Sequence, residues 1–161
     1  MMNNLAAPIG GLMGAVIGGV LWAKYVQWTG RTDGVIAIGI GVLTGVGILF
    51  TSSRCLEREA KTMWRVVSIA AAFFAILGIF IGKYFDVQWN AVAQIAEQLS
   101  QAHNVSMEQA MPSATIVFKG QSVWELMQAR MSGIYDLLFF AAAAFFAFRI
   151  PSSQWLRNYF Y

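Results

Sequence analysis

Residues 131–150 read MSGIYDLLFFAAAAFFAFRI, an apolar stretch that contains one carboxylate, Asp136. At 1.5 Å per residue, a helix of this length crosses the roughly 30 Å hydrocarbon core of a bilayer. An acidic side chain is costly in lipid, so its presence within a span is a functional hypothesis by default. The stretch therefore predicts a membrane helix and raises the question of what the carboxylate contacts.

The composition of the whole chain is that of a membrane protein. Of its 161 residues, 58% are hydrophobic and only 12% are charged, which is too apolar for a soluble domain of this size. Four segments are long enough to span a bilayer, at 8–26, 34–50, 66–85 and 131–150. The first lacks the basic start and small-residue end of a cleaved signal peptide, so we expect it to be retained. We predict an all-α, polytopic membrane protein with one four-helix domain over residues 1–161.

Basic residues indicate the orientation of these spans. The loop TSSRCLEREAKTMWR, residues 51–65, carries four of them, and the C-terminal tail carries Arg157 after Arg149. By the positive-inside rule we predict that both termini lie in the cytoplasm and that residues 86–130 form an outer loop.

Several kinds of chemistry are disfavoured by the residue inventory. The single cysteine, Cys55, and the single histidine, His103, disfavour thiol-redox, bis-histidine haem and most metal sites. The net charge of +3 is not arranged as a basic cluster with interleaved aromatic residues, so we expect no nucleic-acid partner. No nucleophile with an adjacent base and no phosphate-binding loop stands out. We therefore expect no enzyme activity, no cofactor and no metal.

Glycine recurs at four-residue spacing in the first two spans, at Gly10, Gly14, Gly18, Gly41 and Gly45. Such stripes let helix backbones approach closely in lipid, where packing drives association. We predict a tight hairpin of spans one and two, packed as a glycine zipper. The sequence leaves open whether the remaining glycine face meets a second copy of the protein.

The outer loop contains two helical patterns. In VQWNAVAQIAEQLSQAHN the apolar residues fall on one face, which predicts that span three continues beyond the bilayer. SVWELMQARM begins with Ser122 and Glu125 at capping-box spacing and leads towards span four. We predict a helical hairpin that extends spans three and four outward; the alternative is a pair of helices lying flat on the membrane.

Between these patterns, MPSATIVFKG is interrupted by Pro112 and Gly120 and contains the β-prone run 115–118. We predict an extended tip that offers backbone hydrogen bonds to a partner. Residues 104–106 also spell a glycosylation sequon, which has meaning only in a eukaryotic secretory membrane.

Three charged residues are predicted at one depth in the membrane. Asp136 lies about 7–8 Å inside the outer boundary, counted from Met131 at 1.5 Å per residue. Lys83, near the end of span three, and Lys24, in span one, lie at a similar level. An ion pair with either lysine would keep the carboxylate charged. The alternatives are a proton or ion pathway and a hydrated interfacial acid.

The spans GGLMGAVIGGVLWA, GVIAIGIGVLTGVGI, ILGIFIGKY and YDLLFFAAAAFFAFRI resemble those of a group of small bacterial multi-pass membrane proteins. Its members have four spans, a glycine-rich first hairpin, a basic inner loop and a DLLFF-like start to the last span. The resemblance covers the spans and not the outer loop. It implies a bacterial inner membrane and implies no activity.

These features favour a structural or accessory component of a homo-oligomer or larger membrane complex, with the bilayer, itself or other membrane proteins as partners. The alternative is a small oligomeric transporter or channel that uses Asp136 and Lys83. A transport path needs several polar groups at the midplane, and the midplane residues here are almost all apolar, with Thr44 and Ser68 as exceptions. The structural role is therefore favoured.

Overall fold

The computed structural model describes residues 6–30, 35–53, 61–129, 131, 133–153 and 155–156. These residues contain six α-helices and no strand: α1 (Ala6–Thr29), α2 (Val35–Ser53), α3 (Lys61–His103), α4 (Met107–Gly120), α5 (Val123–Ala129) and α6 (Ile134–Ser152). Four segments are long and apolar enough to cross a membrane, at Ala7–Thr29, Val35–Ser52, Met63–His103 and Ile134–Ser152. The prediction of an all-α protein with four candidate spans is confirmed.

The four long helices pack with α2 and α3 in the middle. α1 contacts α2 and α3 over long stretches, and α6 contacts the same two helices. α1 and α6 therefore lie on opposite sides of the α2–α3 pair. The core between them is built from large side chains such as Ile40, Ile48, Trp64 and Ile79, each at most 2% exposed, and from buried alanines.

The glycine stripes face two different neighbours. Gly14 of α1 packs against α2, and a Cβ in its place would meet the carbonyl oxygen of Leu43 at 2.6 Å. Gly10 and Gly18 of α1 face the same helix. Gly41 and Gly45 instead face α6, against the backbones of Ala143 and Ala147. Because small residues occur on more than one face of α1 and α2, each helix can approach two partners closely.

The third span is much longer than a bilayer requires. α3 has 43 residues, about 65 Å at 1.5 Å per residue, or twice the hydrocarbon thickness. It runs without interruption from Lys61 past the predicted end at Phe85, as the apolar face of residues 87–104 predicted. It ends at His103, where Asn104 adopts a positive φ of 53°. Its C-terminal end therefore extends beyond the four-helix bundle.

The prediction of an extended tip at residues 111–120 is wrong, because this segment belongs to α4. Ser106 begins the helix with a capping box: its Oγ accepts from the backbone N–H of Gln109, whose side chain accepts from the Ser106 N–H at 3.2 Å. Ala110 and Ala114 then pack on Ala96 of α3. Capping and burial outweigh the β propensity of the segment.

The sequence predicted that the helix starting at Ser122 continues into span four. In the structure, span four is not a continuation of α5. The helix start at Ser122 is present, with its N–H donating to Glu125 at 3.1 Å, but α5 ends at Ala129. α6 begins only after Gly133, whose φ of 62° is a conformation that glycine adopts readily. The neighbour of the α3 extension is consequently α4, with α5 making a smaller contact.

Candidate functional site

A buried ion pair connects α3 and α6. The Nζ atom of Lys83 lies 2.8 Å from Oδ1 of Asp136, and the two side chains are only 8% and 10% exposed. Asp136 also occupies the first turn of α6, where the partial positive charge of the helix N-terminus stabilises a carboxylate. The structure thus brings together two of the three charged residues that the sequence placed at one depth.

Lys24 lies apart from this pair. Its exposed ammonium donates to Oε1 of Gln27 at 2.9 Å and lies 4.7 Å from the centroid of the Trp89 ring. Trp89 in turn stacks on Phe85, with 5.0 Å between the ring centroids. Lys24 therefore packs on the aromatic side chains Trp89 and Phe85 at the surface between α1 and α3, apart from the buried charges.

Sequence reasoning missed two buried polar residues, Asp86 and Asn90. They are 7% and 8% exposed, and Nδ2 of Asn90 donates to Oδ1 of Asp86 at 2.7 Å. Both fall within the predicted outer loop, residues 86–130, where a solvated side chain is the ordinary expectation. A signal was present, because residues 83, 86 and 90 follow the i, i+3, i+7 spacing of one helix face.

These buried groups adjoin a cavity of about 200 Å³ between α1, α3 and α5. Its lining residues are Trp22, Val26, Gly30, Lys83, Asp86, Val87, Gln94 and Met127. Gly30 and Gln94 are exposed and form its rim, whereas Trp22, Lys83, Asp86 and Met127 are buried and form its floor. The cavity thus connects the surface at the end of α1 to the buried charges.

Beyond the floor the bundle is apolar. Ala71, Ala75 and Ile79 of α3 are at most 1% exposed. The two midplane hydroxyls are bonded within their own helices: Thr44 donates to the Ile40 carbonyl and Ser68 to the Trp64 carbonyl, both at 2.8 Å. Within the described ranges, the polar groups therefore do not continue from the cavity through the middle of the bundle.

In the part of the chain that the structure describes, no three His, Cys, Asp or Glu residues are grouped so that they could hold a metal ion. His103 is exposed at the end of α3, and Cys55 lies outside the described residues. The charged groups that line the cavity are therefore Lys83 and Asp86, and its buried walls are otherwise apolar.

No protein-family model, curated protein or solved structure gave a significant match to this chain.

Proposed function

We propose that this protein is a structural or accessory component of a homo-oligomer or larger membrane complex. We place it in a bacterial inner membrane, with both termini in the cytoplasm. It holds four spans in the bilayer and presents an outer lobe, which we define as residues 87–129, to a partner.

The observation that carries this proposal is the uncovered apolar surface of the outer lobe. Ile116 of α4 is 72% exposed and Trp124 of α5 is 54% exposed. Four other apolar side chains of the lobe are 38–44% exposed: Val105, Met107, Met111 and Val117. Since α3 is twice as long as the hydrocarbon core is thick, much of this lobe would stand outside the lipid. Large exposed apolar side chains in such a place favour a protein partner.

The geometry of the bundle supports the same role. The glycine stripes are occupied within one chain, because Gly14 packs on α2 and Gly41 on α6. These glycines therefore pack helices together within one chain and do not serve for association between chains. We propose that association occurs through the outer lobe. A groove of about 510 Å³ between α3, α4 and α5, which includes Leu99, Val117 and Leu126, would seat a partner segment.

The test is copurification of the full-length protein in mild detergent, with mass spectrometry of what migrates with it. We expect the wild type to migrate with further copies or with another membrane protein. The double variant Ile116→Glu and Trp124→Glu should lose that association without a lower thermal midpoint, since both side chains are exposed. Gln101→Glu adds charge at an exposed site of the lobe outside this groove and serves as the control. A wild-type protein that is monomeric and alone in nanodiscs of native lipid would contradict the proposal.

A small transporter or channel is the second candidate, favoured by the cavity that reaches Lys83, the partner of Asp136. It requires the apolar layer around Ile79 to open during transport. Solute flux into liposomes that is lost in Asp136→Asn, with the protein still folded, would favour this candidate over the accessory role.

A further inference from the structure

The outer lobe contains a groove between α3, α4 and α5 with a volume of about 510 Å³. Its α3 side is one stripe of the helix, because Ala91, Ile95, Gln98 and Ala102 follow one another at spacings of three or four positions. From Ala91 to Ala102 the stripe covers 11 positions, about 16 Å at 1.5 Å per residue. The groove is therefore long enough for about five residues of an extended chain, at about 3.3 Å each.

The walls of the groove are uncharged. None of the ten described residues that line it is ionisable: four carry aliphatic side chains, three are alanines and three are glutamines. A charged group placed there would lose part of its hydration and meet no opposite charge on these residues. The lining therefore favours an occupant that is itself uncharged and largely apolar.

Two glutamines of the groove have side chains without a hydrogen-bond partner in the described ranges. Gln98 belongs to α3 and Gln121 follows α4, and both are exposed. A carboxamide has donors and an acceptor, the same groups that a peptide backbone offers. A helix uses its backbone groups internally, whereas an extended segment leaves them open to a neighbour. The two glutamines therefore suit an extended chain better than a helix.

Two other occupants fit the groove less well. The described ranges of this chain are almost entirely helical and contain no uncharged, non-helical run of five residues, so a second copy offers no such segment from them. A lipid acyl chain would fill the apolar part, but it would exclude water from Gln98 and Gln121 and give them no hydrogen bond in return. Both comparisons favour a different protein.

We propose that this groove binds an uncharged, extended segment of a different protein. Alternate apolar side chains of the segment contact Leu99, Val117 and Leu126, and its backbone bonds to Gln98 and Gln121. Val117 belongs both to the groove and to the exposed apolar surface of the lobe, so the two are continuous. The inference rests on the proposed function, since it names what the partner of the outer lobe presents.

Binding is tested by calorimetric titration of the full-length protein in nanodiscs with acetyl-Val-Thr-Val-Thr-Val-amide, an uncharged peptide whose valines share one side when extended. We expect saturable binding. Acetyl-Val-Thr-Lys-Thr-Val-amide should bind about tenfold or more weakly, because its ammonium would be desolvated. N-methylation of every residue removes the backbone donors and should weaken binding about fivefold. No binding of the first peptide, or equal affinity for either modified peptide, would overturn the proposal.

Matched variants locate the site. Ala102→Trp places an indole in the groove at an exposed position of α3 and should abolish peptide binding. Ala93→Trp makes the same change at an exposed position of α3 outside the groove and should leave the affinity unchanged. Gln98→Leu removes one carboxamide and should weaken binding about fivefold. Wild-type affinity in Ala102→Trp, or an equal loss in the two tryptophan variants, would refute the assignment.

The proposed function is judged by a separate result. Suppose that the peptide does not bind, while the wild type still migrates with a partner that the Ile116→Glu and Trp124→Glu double variant loses. The assignment of the groove is then wrong and the accessory role remains supported. If instead the peptide binds and the wild type is monomeric and alone in nanodiscs, the groove is a peptide site and the accessory role is contradicted.

Discussion

Lys83 and Asp136 connect α3 to α6 through a buried contact of 2.8 Å between Nζ and Oδ1. Of the four candidate spans, α6 is the least covered by the rest of the protein. In its most apolar part 22% of the residues are buried, compared with 39–50% in the other three spans. Because a smaller share of α6 than of the other spans is buried, the ion pair contributes more to holding this helix in place.

Loss of one partner of this pair should be costly. We expect Asp136→Asn to lower the free energy of unfolding by about 3–5 kcal/mol, since it leaves Lys83 buried and charged. Equilibrium unfolding in mixed micelles measures this loss. Lys24→Gln is the matched control, because Lys24 is exposed and its contact with Trp89 contributes about 1 kcal/mol or less.

The double variant tests the coupling directly. Lys83→Gln combined with Asp136→Asn should cost less than the two single losses added together, because it leaves no unpaired charge at the contact. Strict additivity would show that the two residues do not interact.

The two nearby glycines of α2 should respond oppositely to alanine. A Cβ at Gly41 would collide with the backbone of Ala143, whereas a Cβ at Gly39 has nothing within 4 Å. We expect Gly41→Ala to destabilise the protein by about 1–3 kcal/mol through separation of α2 and α6. Gly39→Ala should be neutral or stabilising by up to about 1 kcal/mol, since alanine favours helix. Thermal midpoints in one detergent compare the two, and equal effects would contradict the α2–α6 packing.

Pro112 in the second turn of α4 should weaken that helix. It cannot donate to the carbonyl of Glu108, so Pro112→Ala should stabilise α4 locally by up to about 3 kcal/mol. Slower amide hydrogen exchange across residues 107–120 would report it, with Ser113→Ala as the neighbouring control. Rapid exchange in both wild type and variant would instead favour the extended tip that the sequence pattern suggested.

Cysteine labelling tests the orientation. Cys55 should react with a membrane-impermeant maleimide in inverted vesicles and not in intact cells, because we place its loop in the cytoplasm. In a Cys55→Ser background, Gln101→Cys at the exposed end of α3 should show the reverse. Labelling of both positions from the same side would overturn the topology.

The extent of the prediction differs between the bundle and the outer lobe. The four spans were located to within a few residues at most ends, because a long apolar run has few alternatives to a helix in a bilayer. The prediction for residues 111–120 is wrong because the β propensity of the segment does not include two contacts outside it. Ser106 caps α4, and Ala96 of α3 packs against its buried face. Asp86 and Asn90 lie beyond the predicted end of span three at Phe85, and hydrophobic length alone does not show that burial on α3 continues past that point.

The sequence by itself determined the helical class, the candidate spans and the shared depth of Lys83 and Asp136, because hydrophobic length and a rise of 1.5 Å per residue require nothing beyond the chain. Only the tertiary structure decided that Lys83 and not Lys24 meets Asp136, and that Gly41 packs on α6. It also decided that Asp86 lies beside a cavity. These outcomes depend on how each helix is rotated about its axis and on which neighbours it packs against, and local periodicity does not specify either.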